Sequence, residues 1–235
     1  MNPTDRLPMP RERGAWGILL VPFCVAVAVS GSLDLKVLLF LTSTICLFVA
    51  RASWLERRWQ WLAVLLVAGG AAAVPLLAAW GLWWLAGFAM IGAALAALPR
   101  AAVLISQLLA VAGLTLTAPA AWYTATGRLD APAFWLWLWN ALYFAGSVCY
   151  VRLRIARKGQ CWPVLTFYFT VLAFALALAA GNVVSYGVPL AFAPSAIRAI
   201  LGTRRLSATL RLRRLGWSEM AHAIVFGVLL AAALR

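Results

Sequence analysis

The chain has 235 residues, 65% of them hydrophobic and only 11% charged, with a formal net charge of +14. Ordinary soluble domains are about half apolar and a quarter charged, so this composition excludes a water-solvated fold and requires lipid around much of the surface. In a soluble protein the charge would point to nucleic acid. In a membrane protein it collects in cytoplasmic loops and faces anionic headgroups, so membrane lipid, and not nucleic acid, is the expected partner.

A helix needs roughly 20 apolar residues to cross a hydrocarbon core of about 30 Å. In chain order the apolar runs predict spans at 14–30, 36–52, 59–80, 82–99, 100–123, 133–156, 162–182, 183–200 and 217–234. A short basic segment, 1–13, precedes them, and a basic loop, 201–216, separates the last two. The third and fourth spans form a hairpin broken near Gly81, and the seventh and eighth form a second one. Nothing is left over for a separate soluble domain, so residues 1–235 read as one transmembrane domain.

With the N-terminus in the cytoplasm, 17 of the 20 basic residues fall on the cytoplasmic side and only Lys36, Arg128 and Arg235 fall elsewhere. Losing one span in mid-chain would scramble that bias, so count and orientation support each other. The expected fold is therefore all-α: a polytopic transmembrane helix bundle of about nine helices, N-terminus cytoplasmic and C-terminus outside. Trp16, Trp54, Trp59, Trp162 and Trp217 then sit at inner ends, and Trp80, Trp83, Trp84, Trp122 and Trp135 at outer ones, where amphipathic rings belong. A competing reading takes the first run, ending Ala28-Val29-Ser30, as a cleavable signal peptide, which would leave eight spans with the same orientation. The long basic start and Pro22 favour retention.

Polar residues in hydrocarbon are costly, so those that persist point to function. In the sixth span Asn140, Tyr143, Ser147, Tyr150 and Arg154 recur at spacings of three and four and share one helix face. They either hold neighbouring helices or line a cavity open to the cytoplasm. Gly146 beside them permits close helix contact. In the last span Glu219 and the single histidine, His222, also share a face. An N-terminal cap at Ser218 and a favourable helix dipole would account for Ser218 and Glu219, though not for His222. The eighth span, with Gly187, Pro189 and Pro194, is expected to be broken. Its Arg198 either reaches to headgroups or pairs with Glu219.

The six acidic residues are scattered, and no metal-ligand cluster, nucleotide loop or nucleophile elbow occurs. No metal and no cofactor is expected. The four cysteines lack disulfide or metal spacing and read as small buried hydrophobes.

Pro10-Arg11-Glu12-Arg13-Gly14-Ala15-Trp16, followed by Leu19 to Pro22, resembles the opening of the YwiC-like bacterial membrane proteins. Asn140 through Arg152 and Pro194-Ser195, Arg198, Gly216 and Glu219 are similar as well. The family typically has histidine where Arg13 stands. The resemblance implies an integral protein of the bacterial inner membrane, with no settled activity. The nine-helix layout is also similar, more distantly, to UbiA-type prenyltransferases. Their aspartate-rich metal motifs would fall at 51–58 and 150–154, which are basic here.

The leading expectation is a protein that binds or transports an anionic or amphipathic small molecule in a cytoplasm-facing cavity. Its candidate ligand-binding residues are Arg13, Trp16, Asn140, Tyr143, Ser147, Tyr150, Arg152, Arg154, Arg198, Glu219 and His222. Whether it is an enzyme is left open. A membrane transferase without the metal motifs, and an accessory subunit of a membrane complex, are the alternatives.

Overall fold

A computed structural model describes residues 13–97, 103–156, 161–203 and 212–235. The described residues are all-α, without strands. The segments are α1 Arg13–Ser30, α2 Leu35–Leu55, α3 Trp59–Ala78, α4 Trp84–Ala97, α5 Val103–Thr115 and α6 Thr117–Thr126. They continue with α7 Ala131–Ala156, α8 Trp162–Ala180, α9 Gly187–Thr203 and α10 Leu212–Leu234. Because α5 and α6 run on through Leu116 as one rod, Val103–Thr126, the described residues form nine rods.

Among the described residues five helices are long and apolar enough to cross a membrane: α2, α3, the α5–α6 rod, α8 and the stretch Leu215–Leu234 of α10. Burial within the protein runs opposite to apolarity. The most uniformly apolar of them, α3, has only 17% of its span buried, so its surface is left to lipid. The 26-residue α7 carries Trp, Tyr, Asn and Arg, falls outside the apolar set, and packs against α1, α5, α6, α8 and α9. Polar residues are tolerated where protein, not hydrocarbon, surrounds them. Exposed Trp54, Trp59, Trp162 and Trp217 cluster toward one end of the bundle, and Trp80, Trp83 and Trp84 toward the other.

An aromatic column forms the centre. Trp135 stacks on Trp139 at 5.7 Å, Trp139 meets Phe192 at 5.9 Å, Phe192 meets Phe226 at 5.2 Å, and Phe226 stacks on Tyr143 at 3.9 Å. Each such pair adds about 0.5–1.5 kcal/mol beyond the area it buries. The column joins α7, α9 and α10. Around it α1 buries Leu19, Phe23, Val25 and Ala26, and its Leu19 carbonyl accepts a hydrogen bond from Thr117 Oγ1 at 3.1 Å.

The first and last helices are parallel. Gly17 faces Met220, Gly227 lies against Val21 and Val25, and Arg235 Nε donates to the Ala28 carbonyl at 2.8 Å. By contrast α2 runs antiparallel to α1, pairing Trp16 with Phe48 and Phe23 with Phe40. The parallel contact sets Arg13 and Arg235 at opposite ends of the bundle. An odd number of rods requires this.

Several expectations need correction. The span at 183–200 is one continuous helix, α9, from Gly187 to Thr203. Pro189 falls in its first turn, where N–H groups have no helical partner anyway. Pro194 leaves the Leu190 carbonyl without its helical partner, on the exposed face of α9, and the helix continues past it. The last helix starts at Leu212, so Ser218 and Glu219 lie in its second turn and the capping account fails. Ser218 Oγ instead donates back to the Leu215 carbonyl at 2.8 Å. The fifth span ends three residues later than expected, at Thr126, and is interrupted at Leu116. Cys24 is exposed on the outer surface, not buried, and Cys46, Cys149 and Cys161 are only half-buried.

Gly146 does permit the close contact expected of it. A Cβ there would sit 2.9 Å from the Phe167 ring and 3.1 Å from Tyr168, on α8. Gly146→Val should therefore destabilise the bundle by about 1–3 kcal/mol through overpacking. Gly70→Ala, with open space around it, should stabilise by up to about 1 kcal/mol through helix propensity. Thermal unfolding of both variants in detergent checks the contrast.

Candidate functional site

The site lies at the Arg13 end of the bundle, where the C-terminal halves of α7 and α9 meet the N-terminal halves of α8 and α10. Its centre is an ion pair. Arg198 Nη1 on α9 lies 2.6 Å from Glu219 Oε1 on α10, and the two side chains are only 9% and 12% exposed. Four helices complete the arrangement. From α7, Ser147 Oγ donates to the other carboxylate oxygen, Glu219 Oε2, at 2.5 Å. From α8, the Tyr168 hydroxyl accepts from Arg198 Nη2 at 3.3 Å. The guanidinium carbon lies 4.7 Å from the centre of the Tyr150 ring, which offers its negative face to the charge.

The helical repeat explains why these groups meet. On α7, Tyr143, Ser147, Tyr150 and Arg154 stand on one face. On α8, Val164, Tyr168, Val171, Ala175 and Ala179 form the buried stripe. On α9, Ser195 and Arg198 are three apart, as Glu219 and His222 are on α10. Small residues let the faces close. The Tyr150 hydroxyl lies directly against Gly202, where any side chain would collide with it. Arg154 Nη1 donates to the Gly202 carbonyl at 2.9 Å.

Beside the ion pair opens a cavity of about 350 Å³. Tyr150, Arg154, Arg198 and His222 form its polar wall, and Pro194, Ile197 and Leu201 its apolar one. Glu219 stands behind Arg198 and does not line the cavity. His222 Nδ1 lies 2.7 Å from the Ser218 carbonyl. A carbonyl only accepts, so Nδ1 carries the proton and Nε2 is the free ring nitrogen. Ile197 and Leu201 are more than half exposed, so the cavity is open on the side that faces lipid. Such a site can hold an anionic group against the guanidiniums and an apolar chain along α9.

Not every candidate belongs here. Arg152 turns the other way and donates to Gln107 Oε1 on α5 at 3.2 Å. Trp16 packs edge-on against Phe48 of α2, with ring centres 5.0 Å apart. Asn140 lies deeper, fully buried, and spends its amide on the Leu136 carbonyl at 2.8 Å, leaving Oδ1 without a partner. The Arg13 side chain lies outside the described residues. Tyr143 reaches the edge of the site: its hydroxyl and Ser195 Oγ are close, both buried, and neither makes a hydrogen bond. Tyr168, Ser195 and Gly202 were not among the sequence candidates. Tyr168 was legible as the one hydroxylated aromatic on the buried stripe of α8, whereas Gly202 carries no signal without the fold.

Among the described residues no group of three or more His, Cys, Asp or Glu side chains could hold a metal ion. The polar chemistry of the site thus rests on guanidinium, carboxylate, phenol, hydroxyl and imidazole.

Removing one member of a buried ion pair strands the other, at a cost of about 3–5 kcal/mol, while replacing both with apolar residues is often neutral. Glu219→Leu alone should therefore lower stability by that amount, and Arg198→Met with Glu219→Leu should recover most of it. Thermal unfolding of the single and double variants in detergent measures both. Compared with family models, curated proteins and solved structures, this chain has no match.

Proposed function

We propose that this chain is a nine-span protein of the bacterial inner membrane that binds or transports an anionic amphiphile in the cavity beside Arg198. The N-terminus would lie in the cytoplasm, which puts the cavity at the cytoplasmic leaflet. The arginine bias of the loops supports that orientation. The motifs at 10–22, 140–152 and 194–219 support membership of the YwiC-like family.

One observation carries the functional reading. The cavity combines two guanidiniums, an imidazole and a phenol with an apolar wall, and among the described residues no carboxylate lines it. An uncharged ligand would not need the cations. A small hydrophilic anion would not need the apolar wall or the opening toward lipid. An amphiphile uses both, through charge-assisted hydrogen bonds at one end and burial of methylenes at about 0.8 kcal/mol each along the other.

Native mass spectrometry of protein extracted gently with its lipids tests the proposal. Wild type should retain an anionic amphiphile, and Arg154→Ala with Arg198→Ala should lose it. Arg152→Ala should retain it, because Arg152 engages Gln107 instead. Retention that survives the Arg154 and Arg198 double variant overturns the reading.

Gly202→Ala gives a second expected outcome. The added methyl group must displace the Tyr150 ring from the cavity wall. Retention of the amphiphile should fall at least tenfold, with unfolding temperature changed little compared with Glu219→Leu.

A further inference from the structure

We propose that the ligand is an amphipathic monocarboxylate, and that its binding is coupled to uptake of one proton by Glu219. The inference rests on the binding reading above and adds the ligand class and the coupling.

Arg198 faces two ways: one side of its guanidinium holds Glu219, and the other lines the cavity. A ligand entering the cavity therefore meets a cation already matched to a carboxylate. Another carboxylate competes on equal terms with Glu219, with the same charge and the same planar geometry. Arg198 has donor capacity in hand, since its buried Nε has no hydrogen-bond partner.

If the ligand's carboxylate joined on Arg198 and Glu219 stayed ionised, two anions would meet at this buried guanidinium, with Arg154 the next cation along the wall. Like charges at such spacing in a low dielectric are strongly disfavoured. The exchange balances when one proton from water adds to Glu219. The ligand carboxylate takes its place on Arg198, the Glu219 carboxyl becomes neutral, and the net charge of the pair is unchanged. Ser147 suits both states. Its hydroxyl donates to the ionised carboxylate now, and by rotating it can accept from the carboxylic acid.

The groups around Glu219 allow this. Tyr143, Ser147 and Tyr150 face it from α7, Tyr168 from α8 and Arg198 from α9. Its own helix supplies His222, and α1 contributes no charged side chain from Gly14 to Ser30. Arg154 is one turn further out. Among the described residues no second carboxylate stands beside Glu219. His222 is the one alternative acceptor, through Nε2.

The cavity sets how much of the ligand the protein encloses. At about 30 Å³ per water-sized unit, 350 Å³ holds about a dozen non-hydrogen atoms. A carboxylate with a chain of about eight carbons fits, and a longer chain would leave along Ile197 and Leu201 toward lipid.

Octanoate is the probe. Calorimetry of its binding to detergent-solubilised wild type at about pH 7, where a carboxylate ligand is ionised, is repeated in buffers of different ionisation enthalpy. The expected result is close to one proton taken up per octanoate, with Kd weakening about tenfold from about pH 7 to about pH 8, as one-proton linkage requires. Glu219→Gln should bind with no proton uptake and no pH slope, and His222→Gln should keep both. Binding to wild type without proton uptake overturns the coupling, as does uptake that persists in Glu219→Gln or vanishes in His222→Gln.

The proton count on wild type needs no variant. Infrared difference spectra of wild type should also gain a protonated-carboxyl stretch on binding, so poor folding of Glu219→Gln leaves the proposal decidable. Absence of octanoate binding overturns the monocarboxylate. If wild type then still retains an amphiphile that depends on Arg154 and Arg198, the binding reading stands without it. If neither experiment finds a ligand, both readings fall.

Discussion

A charge pair held away from water governs this structure. Arg198 and Glu219 come from the last two helices, and neither could remain in so apolar a bundle without the other. Their remaining hydrogen-bonding capacity then recruits α7 through Ser147 and α8 through Tyr168. The Tyr150 ring covers the guanidinium. Four helices are thus tied to one point by groups that are too costly to leave unmatched. The aromatic column from Trp135 to Tyr143 fills the space on the other side of that point with contacts that are individually weaker but more numerous.

The same constraint explains the division of labour among helices. Lipid is an adequate solvent for Leu and Val, so α3 can be apolar all round and stay at the margin. It is a poor solvent for Asn, Tyr and Arg, so α7 is drawn to the middle, where other helices take its polar face. Close approach there depends on Gly146 and Gly202, which let rings of α7 and α8 lie against backbone. The position of a helix in the bundle follows from what lipid will not accommodate.

Much of the fold was legible because the membrane imposes length and periodicity. The apolar runs located every rod to within a few residues, and Gly81, with its positive φ of 64°, does turn the third helix into the fourth. The α7 stripe was legible from its spacings, and so was the Glu219 and His222 face. What sequence left open was direction around the helix axis. Arg152 and Arg154 are two apart and equally basic, yet one points to α5 and the other to the cavity. Arg198 could have reached headgroups or Glu219, and only the seating of α10 against α9 decides between them. The start of α10 was misjudged because Leu212 to Gly216 is basic enough to read as loop. The continuity of α9 was missed because Pro189 falls in the first turn, where no helical bond is lost, and Pro194 costs the helix only one.

The order in which the pair is made has a consequence for assembly. Arg198 leaves the ribosome before Glu219 exists, so α9 alone would present an unmatched guanidinium to the bilayer at a cost of about 2.5–3.5 kcal/mol near a helix centre. The penalty disappears once α10 follows. The two helices are therefore best inserted as a hairpin, with α9 held at the translocation machinery until its partner emerges. The feature that shapes the mature site thereby also sets the last step of its biogenesis.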